Sequence, residues 1–324
     1  MRAVVCRELG PLDRLIIEDR AAVVPGPGQL VIDVRAAGVN FVDGLICEGR
    51  YQIKPPTPFV PGGEVAGVVS AVGEGVDGPP VGTRVFAMCG FGGFAEQVAV
   101  PAVSAYPMPA QMSFGAAAAL IQSYATAFLT LTRRTTVAPG EWVLVLGAGG
   151  GIGLASIDIA RSLGARVIAA ASTNDKLAAA RAMGAEGCIA YEEEDLKVRA
   201  RELSGGGVDV VVDPVGGAHA EPALRALRAG GRFCVVGFAS GTIPSVPLNQ
   251  VLLNSRTVLG VDWGAWAFRD PEGNRTLIAE ILALVGEDRL HPVAPVERPL
   301  EEAALVMTEL IGRALAGKVV LVTT

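Results

Sequence analysis

The feature that most constrains the fold of this chain is an apolar run that ends in a cluster of glycines. Trp142 to Leu146 (WVLVL) precedes Gly147 to Gly153 (GAGGGIG), and apolar residues then recur at helical spacing from Leu154 to Arg161. This order predicts a buried strand, a tight turn and the start of a helix. In such a turn glycines let the backbone approach a pyrophosphate, and the amides of the helix N-terminus hold the anion. The segment therefore predicts a nucleotide site.

The motif alone is weak evidence, because its best register is Ala148-x-Gly150-x-x-Gly153 rather than G-x-G-x-x-G. A flexible turn is the alternative, since glycine makes up 41 of the 324 residues. The following segments favour the nucleotide site, because strands and helices alternate along them. Strands are predicted at 166–172, 187–191, 208–213 and 232–237, and helices at 176–183 and 221–228. This alternation predicts an α/β fold with a doubly wound parallel sheet.

The end of the second predicted strand indicates which dinucleotide would bind. Chains that bind NAD usually carry an acid about 20 residues after the turn, whereas this chain has Ser172-Thr173-Asn174 there. Lys176 follows, and it is one of only four lysines in the chain. The pattern favours NADPH, whose 2′-phosphate needs a cation. Asp175 opposes this interpretation, and the alternative for Lys176 is a solvated helix position.

Composition and charge exclude several classes of protein. The net charge of -6 and the pI near 5.2 argue against nucleic acid as the main partner. The longest uncharged stretch, Val143 to Ile157, is too short for a bilayer span, and the first residues have no signal-peptide pattern. We therefore expect a cytoplasmic protein that does not enter membranes.

The cysteines and histidines predict reduced thiols and no metal site. The five cysteines are widely scattered and form no C-x-x-C pair. Only two histidines occur, His219 and His291, and neither lies close in sequence to a cysteine or a carboxylate cluster. We expect a buried structural role for the cysteines and assign no catalytic role to the histidines.

Residues before and after the predicted sheet have a different pattern. Short alternating segments between Gly and Pro predict a small β-barrel, at 29–35, 64–72, 84–87 and 96–100. Residues 113–132, 275–285 and 300–315 are predicted to be helical, and 317–322 a last strand that rejoins the barrel. The predicted domains are thus 1–118 with 263–324, and 119–262. The ligand site is expected in the cleft between them, at the carboxyl ends of the parallel strands.

Several long motifs resemble one known family. They are Ala37 to Asp43 (AGVNFVD), Gly49 to Pro56 (GRYQIKPP), Pro58 to Gly67 (PFVPGGEVAG), Gly147 to Gly153, Asp213 to Gly217 (DPVGG) and Gly317 to Val320 (GKVV). The whole chain is similar to the zinc-free quinone oxidoreductase branch of the medium-chain dehydrogenase/reductase superfamily. The resemblance implies a GroES-like barrel before a Rossmann domain, and usually a homodimer.

The chain departs from the zinc-dependent alcohol dehydrogenases of the same superfamily. Those relatives resemble G-x-C-x-x-D and G-H-E, whereas this chain has Asn40 and Gly63 at the cysteine and histidine positions. The structural four-cysteine lobe is also missing, with only Cys89 in that region. The departures imply chemistry without zinc.

Three polar residues match positions that line the active-site cleft in relatives: Asn40, Asp43 and Tyr51. Each also has a structural alternative. Asn40 could bind loop backbone, Asp43 could cap the short helix 44–48, and Tyr51 could pack its ring in the core.

The resemblance also implies cofactor contacts. In relatives the equivalents of Lys176 and Tyr191 meet the 2′-phosphate. In some relatives a lysine matching Lys318 reaches the cofactor near the cleft; the alternative for Lys318 is an exposed strand lysine. The loop after the fifth strand is expected to border the nicotinamide. The predicted cofactor-binding residues are Ala148, Gly149, Gly150, Gly151, Ile152, Ser172, Lys176, Tyr191, Gly237, Phe238 and Lys318.

These expectations lead to one function with two rivals. Without a metal, hydride transfer from NADPH suits an acceptor that is already electron-poor, such as a quinone, with a proton from solvent or a tyrosine. An enone or enoyl-thioester reductase uses the same geometry, although no basic entrance for a bulky acyl carrier is evident. A non-catalytic NADPH-binding regulatory protein is the other rival.

Overall fold

The computed structural model describes residues 1–323, and these form two compact units. The β-rich unit comprises Met1–Gln122 and the described residues from Val293 onward, and the α/β unit comprises Ser123–Pro292. The sequence analysis put 263–292 with the barrel, whereas the structure groups them with the α/β unit. The reason is local packing: Leu277 is fully buried within this unit, and Arg133 pairs with Glu280 at 2.6 Å.

The β-rich unit contains strands from both ends of the chain. Its strands are β1 (Arg2–Val5), β2 (Ile16–Asp19), β3 (Gln29–Gly38), β4 (Glu64–Val72), β5 (Arg84–Met88), β6 (Gln97–Pro101), β7 (Ala105–Pro107), β14 (Val296–Pro299) and β15 (Val319–Val322). Its helices are α1 (Phe41–Cys47), α2 (Phe114–Ala118) and α11 (Ala303–Ile311).

Seven strands of this unit share a sheet. Six of them follow the order β14-β15-β3-β4-β5-β7, and β6 pairs with the first half of β3, from Gln29 to Asp33. β3 and β4 pair antiparallel from Leu30–Val72 to Gly38–Glu64. β15 pairs antiparallel with the end of β3, where Val320 lies opposite Gly38. The late strand therefore rejoins the first part of the chain, as predicted.

The α/β unit alternates strands and helices. Its helices are α3 (Ile121–Leu129, which begins in the β-rich unit), α4 (Gly151–Ser162), α5 (Asn174–Ala182), α6 (Leu196–Ser204), α7 (Ala220–Ala226), α8 (Asn249–Leu252), α9 (Trp263–Arg269) and α10 (Pro271–Gly286). Its strands are β8 (Trp142–Leu146), β9 (Arg166–Ala171), β10 (Gly187–Ala190), β11 (Val208–Asp213), β12 (Leu227–Val235) and β13 (Thr257–Gly260).

These six strands form one parallel sheet in the order β10-β9-β8-β11-β12-β13. The strand order reverses between β8 and β11, which is the arrangement of a doubly wound Rossmann sheet, and ligands bind such sheets at the carboxyl ends of the strands beside this point. Every residue of β11 and every residue of β8 except Trp142 is buried, because helices cover both faces of a parallel sheet. The predicted fold class is confirmed.

Within residues 1–323, no helix has both the length and the apolar character that crossing a membrane requires.

Candidate active site

The turn between β8 and α4 is held together by its own backbone. Gly147 has a φ of 58°, in the left-handed region that glycine adopts at little cost. The Gly150 N–H donates to the Gly147 carbonyl at 3.0 Å, and a Cβ atom on Gly153 would collide with that same carbonyl. The helix therefore starts in direct contact with the turn, which is the close packing that a dinucleotide-binding turn requires.

The start of α4 fits a pyrophosphate. The first amides of an α-helix have no carbonyl partner within the helix, and the helix dipole adds partial positive charge there. Gly151 and Ile152 are the first two residues of α4. Ala148 differs, because it is fully buried and its N–H donates to the Ala170 carbonyl of β9 at 3.1 Å. Ala148 thus anchors the turn to the sheet.

Lys176 lies against this turn. A Cβ atom on Gly149 would overlap the Cβ atom of Lys176, so the absence of a side chain at Gly149 lets α5 approach. The Lys176 Nζ atom is 3.4 Å from Ser172 Oγ at the end of β9. Two predicted cofactor side chains and one turn glycine are therefore brought together. Lys176 is half-buried, which differs from a fully solvated helix position.

Tyr191 follows the neighbouring strand end. Its N–H donates to the Ala171 carbonyl at 3.3 Å, next to Ser172. Its ring contacts the His219 ring with a centroid separation of 4.0 Å, and His219 Nε2 is 3.9 Å from a Glu192 carboxylate oxygen. Sequence reasoning gave His219 no role, because the residues that surround it come from other strand ends.

The predicted nicotinamide loop packs on the end of β11. Both the Val215 and Gly216 N–H groups donate to the buried Asp213 carboxylate at 2.8 Å, and burial raises the pKa of Asp213. The Gly237 N–H donates to the Asp213 carbonyl at 3.2 Å. A Cβ atom on Gly216 would lie 2.8 Å from the Phe238 ring. The loops that follow β11 and β12 are therefore in contact, at the carboxyl ends of both strands.

The β-rich unit holds a separate buried network of three side chains. The Lys318 ammonium donates to Glu64 Oε1 at 2.7 Å and to Asn40 Oδ1, while Asn40 Nδ2 donates to the same Glu64 oxygen at 2.9 Å. Glu64 is 0% exposed and Lys318 only 8%. The alternative that Lys318 is an exposed strand lysine is therefore wrong, because Lys318 lies just before β15 and its side chain is sequestered by Glu64.

Asp43 lies beside this network on α1. Its carboxylate accepts the Asn40 N–H at 2.8 Å, so Asp43 closes the first turn of α1 from its third position while Asn40 is the N-cap. Burial raises the pKa of Asp43 to about 7, although the Asn40 amide and the Lys318 charge both act to lower it. A carboxyl group of this kind carries a proton for much of the time at neutral pH.

Tyr51 is half-buried, and its ring packs against the hydrophobic core of the β-rich unit. The packing alternative from the sequence is thus present. The role of its hydroxyl toward a ligand stays a prediction, as do the roles of Asn40 and Asp43.

Glu64 is the residue that sequence reasoning missed. It lies within the motif Pro58 to Gly67, but the sequence analysis did not assign it to the site. A signal was present, because Glu64 is an acid placed directly before the apolar strand segment VAGVVSAV. A carboxylate at the start of a buried strand needs a buried partner, but nothing in the local pattern identifies Asn40 and Lys318 as that partner.

Comparison with known families covers both units. Residues 26–110 match the family model of the alcohol dehydrogenase GroES-like domain, and residues 151–282 match that of the zinc-binding dehydrogenases. Quinone oxidoreductase-like protein 2 homolog from Nematostella vectensis is 37% identical over 99% of this chain and 89% of its own length. The chain belongs to the quinone oxidoreductase branch of the medium-chain dehydrogenase/reductase superfamily.

Solved structures of this branch agree with the fold. The Escherichia coli quinone oxidoreductase complexed with NADPH is 29% identical, with a TM-score of 0.93 over 100% of both chains. The Thermus thermophilus quinone oxidoreductase, also solved as an NADPH complex, is 36% identical, with a TM-score of 0.84 over 100% of both chains.

The side chains of this chain at the positions of the zinc ligands do not fit the zinc ion that one family description names. Asn40 and Gly63 stand where zinc-dependent relatives have a cysteine and a histidine. The Asn40 amide is engaged by Glu64, and the Lys318 ammonium already supplies a cation 2.7 Å from that carboxylate. Among residues 1–323, no cluster of three histidine, cysteine or acidic side chains could hold a metal ion.

Proposed function

We propose that this member of the quinone oxidoreductase branch is an NADPH-dependent oxidoreductase that reduces quinones or similar activated carbonyl acceptors without zinc. The observation that carries the proposal is the position of Lys176, which packs on Gly149 of the glycine turn and reaches Ser172. A cation is thereby held at the strand end where NAD-binding chains usually carry an acid.

NADPH is the cofactor that the α/β unit fits. The amides at the start of α4 would hold its pyrophosphate, and Lys176, Ser172 and Tyr191 would meet the 2′-phosphate. When bound, NADPH supplies a hydride from C4 of its nicotinamide ring. The Escherichia coli and Thermus thermophilus relatives support this assignment, because both are described as complexes with NADPH.

The β-rich unit supplies polar groups for the acceptor. Its donor set lacks the ligands that would hold a metal to polarise an unactivated ketone, so an electron-poor acceptor suits the site best. The Asn40 amide and the Tyr51 hydroxyl would orient the acceptor oxygen and stabilise its developing negative charge. The Asp43 carboxyl can hold a proton near neutral pH, because burial raises its pKa to about 7.

Steady-state oxidation of NADPH and NADH, measured side by side, tests the proposal. The acceptor panel should contain simple quinones, small enones and an enoyl thioester, with and without a zinc chelator. We expect NADPH to be consumed fastest with quinones and the chelator to have no effect. Faster turnover of enones or thioesters would support the reductase alternative instead. Tight NADPH binding without turnover of any acceptor would support a non-catalytic regulatory role.

We also propose a homodimer built through β13. This strand is at one edge of the six-stranded sheet, and the preceding α8 region has Leu248, Leu252 and Leu253 all more than 70% exposed. An edge strand can pair with a second copy of itself about a twofold axis, which also covers an adjacent apolar patch.

The five cysteines, all free, support the predicted cytoplasmic location.

Light scattering after size exclusion tests the homodimer. The double substitution Leu252→Glu with Leu253→Glu should halve the measured mass, because it places carboxylates on the patch. Val24→Glu is the matched control, since Val24 is equally exposed but lies in the β-rich unit. A mass near that of one chain for the unsubstituted protein would overturn the dimer.

A further inference from the structure

The side-chain amide of Asn40 is held at both ends by opposite charges. Its oxygen accepts a hydrogen bond from the Lys318 ammonium, and its nitrogen donates to the Glu64 carboxylate at 2.9 Å. Lys318 and Glu64 also contact one another at 2.7 Å, so the three groups close a triangle. All three side chains are at least nine-tenths buried.

This arrangement permits only one orientation of the amide. If the amide turned over, its NH₂ group would face an ammonium and its oxygen would face a carboxylate, and both hydrogen bonds would be replaced by repulsion. One N–H of Nδ2 is committed to Glu64. The second N–H is the remaining donor of Asn40, and it is the group that can serve the oxygen of an acceptor.

A glycine on the neighbouring strand β3 leaves space for the charged pair. A Cβ atom on Gly38 would overlap Glu64 Oε1, so the β3 backbone leaves space for the carboxylate. The second carboxylate oxygen accepts the Gln122 N–H at 2.9 Å. A buried ion pair contributes little to stability compared with apolar residues of similar volume. The Glu64–Lys318 pair is therefore better explained by its effect on Asn40, because the pair fixes the orientation of the Asn40 side-chain amide.

We propose that Lys318 and Glu64 are positioning residues that fix the Asn40 amide as a hydrogen-bond donor to the acceptor oxygen. This inference rests on the proposed oxidoreductase function and deepens it. It also gives Lys318 a defined task in the β-rich unit, whereas its predicted contact with the cofactor stays a prediction.

The central variant is Glu64→Gln combined with Lys318→Met. Removing one partner alone would leave an unpaired buried charge and could unfold the unit, whereas the double variant is neutral and similar in volume. We expect kcat with a quinone to fall about 10- to 100-fold, as for a displaced oxyanion donor. The NADPH dissociation constant, measured alongside, reports separately on the predicted contact of Lys318 with the cofactor. Glu8→Gln with Arg14→Met is the matched control, because this exposed pair has a similar 2.6 Å contact in the same unit.

A double-mutant cycle with Asn40→Ala separates positioning from general support of the fold. If Lys318 and Glu64 act through Asn40, adding Asn40→Ala to the double variant should cost almost nothing further in kcat. Multiplying losses would overturn the inference, because they would mean independent roles. With Lys318→Met present in both, Glu64→Gln should keep more activity than Glu64→Met, since glutamine retains an oxygen acceptor for the Asn40 amide.

A measurement without turnover distinguishes this inference from the proposed function. The side-chain amide protons of Asn40 can be assigned by the nuclear magnetic resonance signal that Asn40→Ala removes. In the double variant their exchange with solvent should accelerate at least tenfold; an unchanged rate would overturn the inference even in an active enzyme. Faster exchange in a protein that reduces no acceptor would instead reject the proposed function and leave the fixed amide established.

Discussion

The two units build their candidate sites from different materials. In the α/β unit the glycine turn and the start of α4 offer backbone amides, and side chains are excluded where they would collide, as at Gly149 and Gly153. In the β-rich unit the groups are buried side chains, and the Lys318 contacts with Glu64 and Asn40 span 254 and 278 residues of sequence. One site therefore depends on local conformation and the other on long-range charge pairing.

The difference predicts how each site fails. A backbone site fails when volume is added, because a Cβ atom displaces the main chain that holds the anion. A side-chain network fails when charge is removed from one partner, because the other partner stays buried without compensation.

The largest effect is expected from Gly153→Ala. The added Cβ atom would collide with the Gly147 carbonyl and push the turn away from α4. We expect NADPH affinity to fall by about 100-fold, from a strain of a few kcal/mol. Fluorescence titration with NADPH measures it. Gly286→Ala is the control, because nothing lies within 4 Å of the Cβ atom it would gain. Equal affinity in both variants would break the contrast between the units.

The next effect concerns the one charged side chain expected to contribute to the backbone site. Lys176→Ala should weaken NADPH binding by about 10- to 100-fold, the loss of one charged hydrogen bond, and leave NADH binding unchanged. Lys197→Ala on α6 is the matched control in the same unit. The ratio of NADPH to NADH dissociation constants is the readout. A parallel loss for both cofactors would mean that Lys176 supports the turn rather than reading the phosphate.

The third effect is a pH dependence of stability in the β-rich unit. The pKa of Asp43 is about 7 in the folded chain and about 3.9 when unfolded. The stability from protonated Asp43 is therefore complete below about pH 4 and is lost as pH rises through 7. Asp43→Asn removes this loss while keeping an oxygen for the Asn40 N–H. Its Tm should exceed that of the unsubstituted chain by a margin that grows by several degrees from pH 4.5 to 8.

The substitution Asp13→Asn, at an exposed position of the same unit, serves as the control for that series. A Tm difference for Asp43→Asn that does not change with pH would show that burial does not hold a proton at Asp43.

Local patterns predicted much of the fold. Strands β4 and β11 match the predicted ranges 64–72 and 208–213, because short valine-rich segments bounded by glycine and proline favour strands. The predicted helix at 113–132 is instead divided into α2 and α3. The predicted helix at 300–315 begins only at Ala303 and ends at Ile311, before Arg313 adopts a left-handed φ of 58°. Helix ends depend on tertiary contacts that a local pattern does not contain.

The candidate site divides in the same way. Gly149, Gly153 and Lys176 belong to one continuous strand-turn-helix-strand-helix segment, from β8 to α5, so their neighbourhood followed from the sequence. Asn40 and Lys318 were proposed separately, but their contact was not predicted. The contact depends on the antiparallel pairing of β15 with β3, two strands that the sequence of the α/β unit separates along the chain. Glu64 was missed for the same physical reason.

The Glu64–Lys318 pair also sets an order of events during synthesis. Glu64 leaves the ribosome 254 residues before its partner, which at about 5–20 residues per second is roughly 13–50 s. Throughout that interval Glu64 lacks the Lys318 ammonium, and its charged carboxylate favours contact with water, which opposes closure of the region around β3 and β4 over a dry interior. The α/β unit, which is continuous in sequence, is synthesised entirely within this interval. Nascent chains should therefore complete the nucleotide-binding unit first and seal the β-rich unit last.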